Sequence, residues 1–110
     1  MKSEKFSDSI DFSPGRVVYD EFIIDDGRAW IEQVDRLDED LLQIAFPGDV
    51  VLDIGWYPAF SREGQFQVRV IRHFEWDAPI FYAEVTSLDI LRSVLEAARQ
   101  TAVEAALVAA

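Results

Sequence analysis

Two stretches of strict alternation, separated by a short loop, most constrain how this chain can fold. They are DVVLDIGWY (49–57) and QFQVRVIRH (65–73), and their even-numbered positions carry large apolar side chains: Val50, Leu52, Ile54, Trp56, Phe66, Val68 and Val70. Side chains of a strand point alternately to its two faces, so these residues share one face. Pro58 and Gly64 lie in the loop between the stretches. The pattern therefore predicts an antiparallel hairpin.

Three other segments have the composition of strands. RVVYDEFII (16–24) is rich in β-branched and aromatic residues, DLLQIAF (40–46) is a short apolar run, and PIFYAEVTS predicts a strand over 80–85. The first thirteen residues are polar and carry a weak strand signal at best.

Helical periodicity appears twice. Trp30, Val34 and Leu37 fall at i, i+4 and i+7, which predicts a short helix over about 28–37 with charged residues on its other face. A second stripe predicts a helix that begins after a Thr86 or Ser87 cap and runs to about residue 106. Its apolar members are Leu88, Leu91, Leu95, Ala98 and Ala102, widened by Ile90 and Val94.

This order of elements predicts an α+β protein. We expect a single domain over residues 1–110, with an antiparallel sheet of about four to five strands. The sheet would pack against the long C-terminal helix and the short helix of the N-terminal half. The chain has no cysteine, no signal-peptide pattern and no apolar run of the roughly 18 residues that a membrane span requires. A cytoplasmic location is therefore expected.

The charge is large, negative and unevenly distributed. The formal net charge is −11, and residues 1–50 hold 13 acidic and 5 basic residues. Such a field repels nucleic acid and anionic membranes and attracts a basic protein, although it can also serve only as a solubilising surface. The dense part predicts a contact surface for a basic partner, centred on the short helix. Its members are Asp25, Asp26, Glu32, Asp35, Asp38, Glu39 and Asp40.

The end of the first alternating strand offers a second candidate surface. Trp56 shares the apolar face and is predicted to be core, whereas Tyr57 points the other way with Asp53 and Gly55. Gly55 leaves a gap that permits a close neighbour. An outward tyrosine there predicts either a partner contact or a ring packed under a loop. The oligomeric state is left open by the sequence.

Little in the sequence points to chemistry. His73, the one histidine, alternates with Glu75 and Asp77, but that stretch reads as a turn, so no metal site or cofactor is predicted. A nucleophile elbow and a glycine-rich phosphate loop are both missing from the sequence. Asp53 is the best acid–base candidate, yet a register that places Arg69 opposite it would make a cross-strand ion pair and keep it ionised. The sequence therefore favours a protein that is not an enzyme.

Part of the chain resembles the small immunity proteins of bacterial polymorphic-toxin systems, including contact-dependent growth inhibition. The resemblance covers about residues 49–100 and is carried by VVLDIGWYP, the hairpin SREGQFQVRVI, Trp76 before APIFYAEV, and the closing helix. It implies a cytoplasmic protein without catalysis that binds a cognate toxin domain and covers its active site. Many such toxins are nucleases with basic clefts, which an acidic surface can occupy.

Two alternatives from other classes remain. Secretion chaperones are also small, acidic α+β proteins, and they usually form dimers. A small enzyme or ligand-binding domain would instead hold a cavity between sheet and helix, with Asp53, Tyr57 and His73 as its polar lining.

Overall fold

A computed structural model describes residues 3–25 and 28–109. The elements are β1 (Ser3–Lys5), a 3-10 turn (Phe6–Ser9), β2 (Arg16–Asp20), β3 (Ile23–Asp25), a 3-10 helix (Trp30–Arg36), β4 (Leu42–Phe46), β5 (Val50–Tyr57), β6 (Gln65–Arg72), β7 (Phe81–Val85) and α1 (Leu88–Ala109). Strands β2, β4, β5, β6 and β7 form an antiparallel sheet in that order, while β1 pairs antiparallel with β3 in a separate two-stranded sheet. The predicted α+β class is confirmed.

The predicted hairpin is the centre of the sheet. β5 and β6 pair antiparallel over their full lengths, with Ile54 opposite Val68 and Trp56 opposite Phe66. The even-numbered face is buried in the core, as the alternation predicts. Trp56 is only 1% exposed, and its indole N–H donates to the Ser61 carbonyl at 2.8 Å. That bond connects the core to the loop after β5, because a buried indole N–H requires an acceptor.

Helix α1 covers this apolar face. Leu91, Leu95, Ala98 and Ala102 are fully buried, which confirms the predicted stripe. The N–H of Ile90 donates to the Ser87 hydroxyl at 3.4 Å, the bond expected of a capping serine. Ile90 itself was wrongly placed in the stripe, since its side chain is 56% exposed. In the described part of the chain, no helix has both the length and the apolarity that crossing a membrane requires.

The strand predicted over 16–24 is two strands in different sheets. The break follows Asp20, whose carboxylate accepts the Phe22 N–H at 3.2 Å and the Ser7 hydroxyl. Phe22 then turns into the core, where it is fully buried and stacks on the Phe6 ring at 4.5 Å. The chain changes sheets because this turn and this burial outweigh the local preference for one long strand.

The predicted short helix is present in a different form. It is a 3-10 helix over Trp30–Arg36, with non-helical angles at Gln33 (φ −105°, ψ 17°). Val34 and Leu37 are buried, as the helical spacing predicts. The irregular residue is Gln33, whose buried side chain bonds the backbone of Asp25 in β3.

Candidate functional site

The sequence Asp38-Glu39-Asp40, here called the acidic turn, is held against strand β5 by backbone bonds. The Trp56 N–H donates to the Asp38 carbonyl at 2.9 Å, and the Leu41 N–H donates to the Ile54 carbonyl at 3.0 Å. All three acidic side chains are exposed. The sheet therefore holds the backbone that carries these three charges, while the side chains extend into solvent.

Gly55 is the reason that the turn can lie so close to β5. A Cβ atom built on Gly55 would stand 1.9 Å from the Glu39 carbonyl oxygen. The sequence predicted that Gly55 admits a close neighbour, and this prediction is confirmed. That neighbour is the backbone of the acidic turn. The two candidate surfaces predicted from the sequence, the acidic region and the strand face with Tyr57, therefore adjoin at this point.

The sheet face turned away from α1, here called the outer face, carries a row of polar and aromatic residues. Tyr57 and Gly55 belong to the same face, which agrees with the predicted alternation. Arg69 lies between two rings, with its guanidinium carbon 5.5 Å from the Tyr57 centroid and 5.0 Å from the Tyr82 centroid. The register across the five strands places in one row Tyr19, Gln43, Asp53, Arg69 and Tyr82.

Asp53 is the buried charge of this row. It is 3% exposed, lies directly opposite Arg69, and accepts a bond from the Gln43 amide at 2.9 Å. Burial raises the pKa of Asp53, while the bond from Gln43 and the positive charge of Arg69 lower it less. The predicted register, with Arg69 opposite Asp53, is thus confirmed. The predicted ion pair is not formed, because the Arg69 guanidinium donates to the Gln67 side-chain oxygen at 2.6 Å, and burial outweighs its charge in setting the pKa of Asp53.

We expect Asp53→Asn to be at least as stable as the wild type at pH 7. With a raised pKa, folded Asp53 holds its proton more tightly than the unfolded chain, so the ionised form costs stability above that pKa. The cost disappears as pH falls through the raised pKa and below the ordinary value of 3.8. Urea unfolding from pH 7 to pH 3.5 should show the difference between the two proteins shrinking. A wild type that is clearly more stable than the variant at pH 7 would contradict this.

A groove opens between β2 and the loop over residues 58–64, and is called the Tyr19–Phe60 groove here. Its volume is about 570 Å³. Phe60 is 54% exposed at a φ of 62°, a conformation that costs a non-glycine residue free energy, and its N–H donates to the Leu37 carbonyl at 2.8 Å. The groove is lined by Tyr19, Glu21, Ile23, Arg36, Asp38, Asp40 and Phe60.

The remaining predicted acids lie before the acidic turn. Glu32 and Asp35 are exposed and lie on either side of the irregular residue Gln33 in the 3-10 helix. Asp25 is the last residue of β3, and Asp26 lies outside the described residues. The sequence reading missed Gln33, whose buried amide accepts the Asp25 N–H at 2.8 Å and donates to its carbonyl at 3.0 Å.

Sequence reasoning predicted Asp38 and Asp40 as contact residues but missed the aromatic lining of the groove. Tyr19 falls within the strand predicted over 16–24, and Phe60 within the loop predicted after the first alternating stretch. A possible signal was the position of Phe60 two residues after Pro58, where an apolar ring has no strand to pack on.

The predicted cavity between sheet and helix with Asp53 and Tyr57 as its lining is not formed. Both residues are on the outer face, whereas α1 covers the opposite face. His73 is exposed, and its nearest carboxylate, that of Asp49, is 3.9 Å away. Within residues 3–25 and 28–109, no three histidine or acidic side chains are placed to hold a metal ion.

The fold and the site together define a small α+β protein with a rigidly held acidic turn beside a tyrosine-bearing sheet face. No protein-family model, curated protein or solved structure matches the chain.

Proposed function

We propose that this protein is an immunity protein that binds a cognate toxin domain, a basic nuclease, and covers its active site with an acidic surface. The observation that carries the proposal is the contact between the Glu39 carbonyl and Gly55. It joins the acidic turn to the outer face, so that one continuous surface offers both fixed carboxylates and tyrosine rings.

The electrostatics of this surface support a basic partner. Asp40 adds to the negative field at Asp53, Tyr57 and Tyr19, and in each case acts to raise the pKa. Like charges that are held together repel one another, and a basic partner relieves that repulsion. A dense negative field also accelerates encounter with a positive cleft.

The aromatic residues supply the part of binding that charge alone does not. All three tyrosines of the chain lie on the outer face or at its border, and Tyr19 and Tyr82 are 40% and 45% exposed. Tyrosine is enriched in the energetically important centres of interfaces because its ring buries area at low entropic cost. The backbone bonds of the acidic turn order its backbone before binding, so that only the side chains need to be ordered on association.

In this proposal the protein acts in the cytoplasm, without a cofactor or catalysis of its own. Its partner is the toxin protein, and neither a membrane nor nucleic acid is bound directly. Carboxylates would occupy the positions of substrate phosphates in the toxin cleft. The same negative charge makes the free surface repel nucleic acid.

The proposal predicts that a toxin domain is encoded beside this gene, and the test uses that domain. We expect the two proteins to elute together from size-exclusion chromatography as a stable complex, and nuclease activity to fall in proportion to the added immunity protein. A toxin domain that elutes separately and remains fully active would refute the proposal. A complex with undiminished activity would refute the active-site part of it.

One observation favours a secretion chaperone as the second candidate. Strand β2 is an edge of the sheet, and Val17 and Val18 are 43% and 51% exposed there. Exposed apolar edge strands pair readily with other chains. A stable dimer in light scattering, together with binding to an unfolded secreted substrate, would favour the chaperone over the immunity protein.

A further inference from the structure

The Tyr19–Phe60 groove combines aromatic walls with carboxylates, which is more than an acidic surface needs. We propose that it is a socket for one arginine side chain of the bound toxin domain. The identity of the partner rests on the proposed function, whereas the preference for a guanidinium follows from the groove itself.

The charge of the groove favours a cation. Three carboxylates line it, those of Glu21, Asp38 and Asp40, against the single guanidinium of Arg36, which leaves a net charge of −2. Partial burial, followed by the charges of Glu21, Asp40 and Asp38, raises the pKa of Tyr19, so this ring lies in the negative field of the same carboxylates. An anionic ligand would be repelled, and a neutral one would leave the net negative charge of the groove uncompensated.

The walls favour arginine over a compact cation. Tyr19 and Phe60 are both about half exposed and border the same groove of about 570 Å³. A planar guanidinium can stack on an aromatic ring while its N–H groups donate to carboxylates at its edge. An ammonium group satisfies the carboxylates but gains less from the rings.

The lining is held in place without a ligand. The Glu21 N–H donates to the Leu41 carbonyl at 2.8 Å, and the Phe60 N–H donates to the Leu37 carbonyl at 2.8 Å. The Asp38 carbonyl accepts the Trp56 N–H at 2.9 Å. Three lining residues from three separate segments are thus fixed to the core, and little rearrangement is needed when a guanidinium enters.

Replacement of Arg36 is expected to strengthen binding, whereas loss of a lining residue usually weakens it. The Arg36 guanidinium is the internal cation of the groove, so Arg36→Gln changes the net charge of the lining from −2 to −3. We expect this variant to bind an external guanidinium about 3-fold more tightly, because one competing positive charge is removed. A groove that binds only through apolar contact would show no such gain.

The probe is acetyl-Gly-Arg-Gly-amide, titrated into the protein and followed by two-dimensional NMR. We expect saturable shifts centred on the amides of Tyr19 and Phe60, weakened by salt and strengthened in Arg36→Gln. The matched control peptide carries citrulline, which keeps the shape but has no charge, and should bind at least about 10-fold more weakly. Equal binding of both peptides, or shifts spread over all the acidic residues, would overturn the socket.

The toxin domain separates this inference from the proposed function. Phe60→Ala should weaken the complex about 10-fold or more, as removal of an anchoring contact does. Phe74→Ala is the matched control, since Phe74 is also exposed, at 68%, has a φ of 61°, and lies outside the groove. If the two variants bind like the wild type, the socket is wrong and the immunity function stands. If no toxin domain binds at all, the function is wrong and the peptide titration still decides the socket.

Discussion

Gly55→Ala is expected to lower the free energy of unfolding by about 3 kcal/mol, a large effect for one added methyl group. The new Cβ would stand 1.9 Å from the Glu39 carbonyl oxygen. That oxygen belongs to a backbone fixed by two bonds to β5, so it cannot move without breaking the pairing of the acidic turn with the strand. Urea unfolding followed by tryptophan fluorescence measures the loss.

Gly15→Ala is the control for this prediction. A Cβ on Gly15 would also be crowded, with its nearest atoms at 2.6 Å and 2.7 Å, but these are side-chain atoms of Ile44 and Phe46. No backbone atom blocks this Cβ, but both side chains are buried and the Ile44 methyl is attached to a β-branched carbon, so they can shift only in part. The expected cost is about 2 kcal/mol, with the acidic turn left in place. If Gly55→Ala proves as stable as Gly15→Ala and still binds the toxin domain normally, the turn is not held as we describe.

Reversal of two charges on the acidic turn is the second large effect. We expect Glu39→Lys combined with Asp40→Lys to slow association with the toxin domain about 100-fold at low salt and to remove most of its salt dependence. Both side chains are exposed, so the fold should persist. Asp38 is left unchanged because its carboxylate accepts the Glu39 N–H at 2.7 Å and supports the turn. Stopped-flow fluorescence at several salt concentrations measures the rate.

The control variant changes the net charge by the same amount elsewhere. Glu75 and Asp77 are exposed in the loop after β6. This loop follows the end of the hairpin at which Val50 pairs with Arg72, opposite to the end that carries Tyr57. Glu75→Lys with Asp77→Lys should slow association only a few-fold, through the weaker overall field. Equal effects of the two double variants would mean that net charge alone steers the partner and that the acidic turn has no special place in the interface.

The sequence by itself determined the features that depend on local periodicity. The hairpin of β5 and β6, the burial of Trp56 and the apolar stripe of α1 follow from which face of one element each side chain occupies, and that information is local. The sequence also carried the density of acidic residues and the gap at Gly55. It therefore predicted most of the α+β fold and the parts of the candidate site, but not how those parts are arranged.

The arrangement was decided by tertiary contacts between segments that are distant in the chain. The break after Asp20 depends on the burial of Phe22 against Phe6, which no local pattern of 16–24 reveals. The contact of Gly55 with Glu39 and the groove between Tyr19 and Phe60 depend on strand register and on backbone bonds across 13 or more residues. Local propensity records which face a residue prefers, whereas the partner across that face is selected only when the whole sheet pairs and packs.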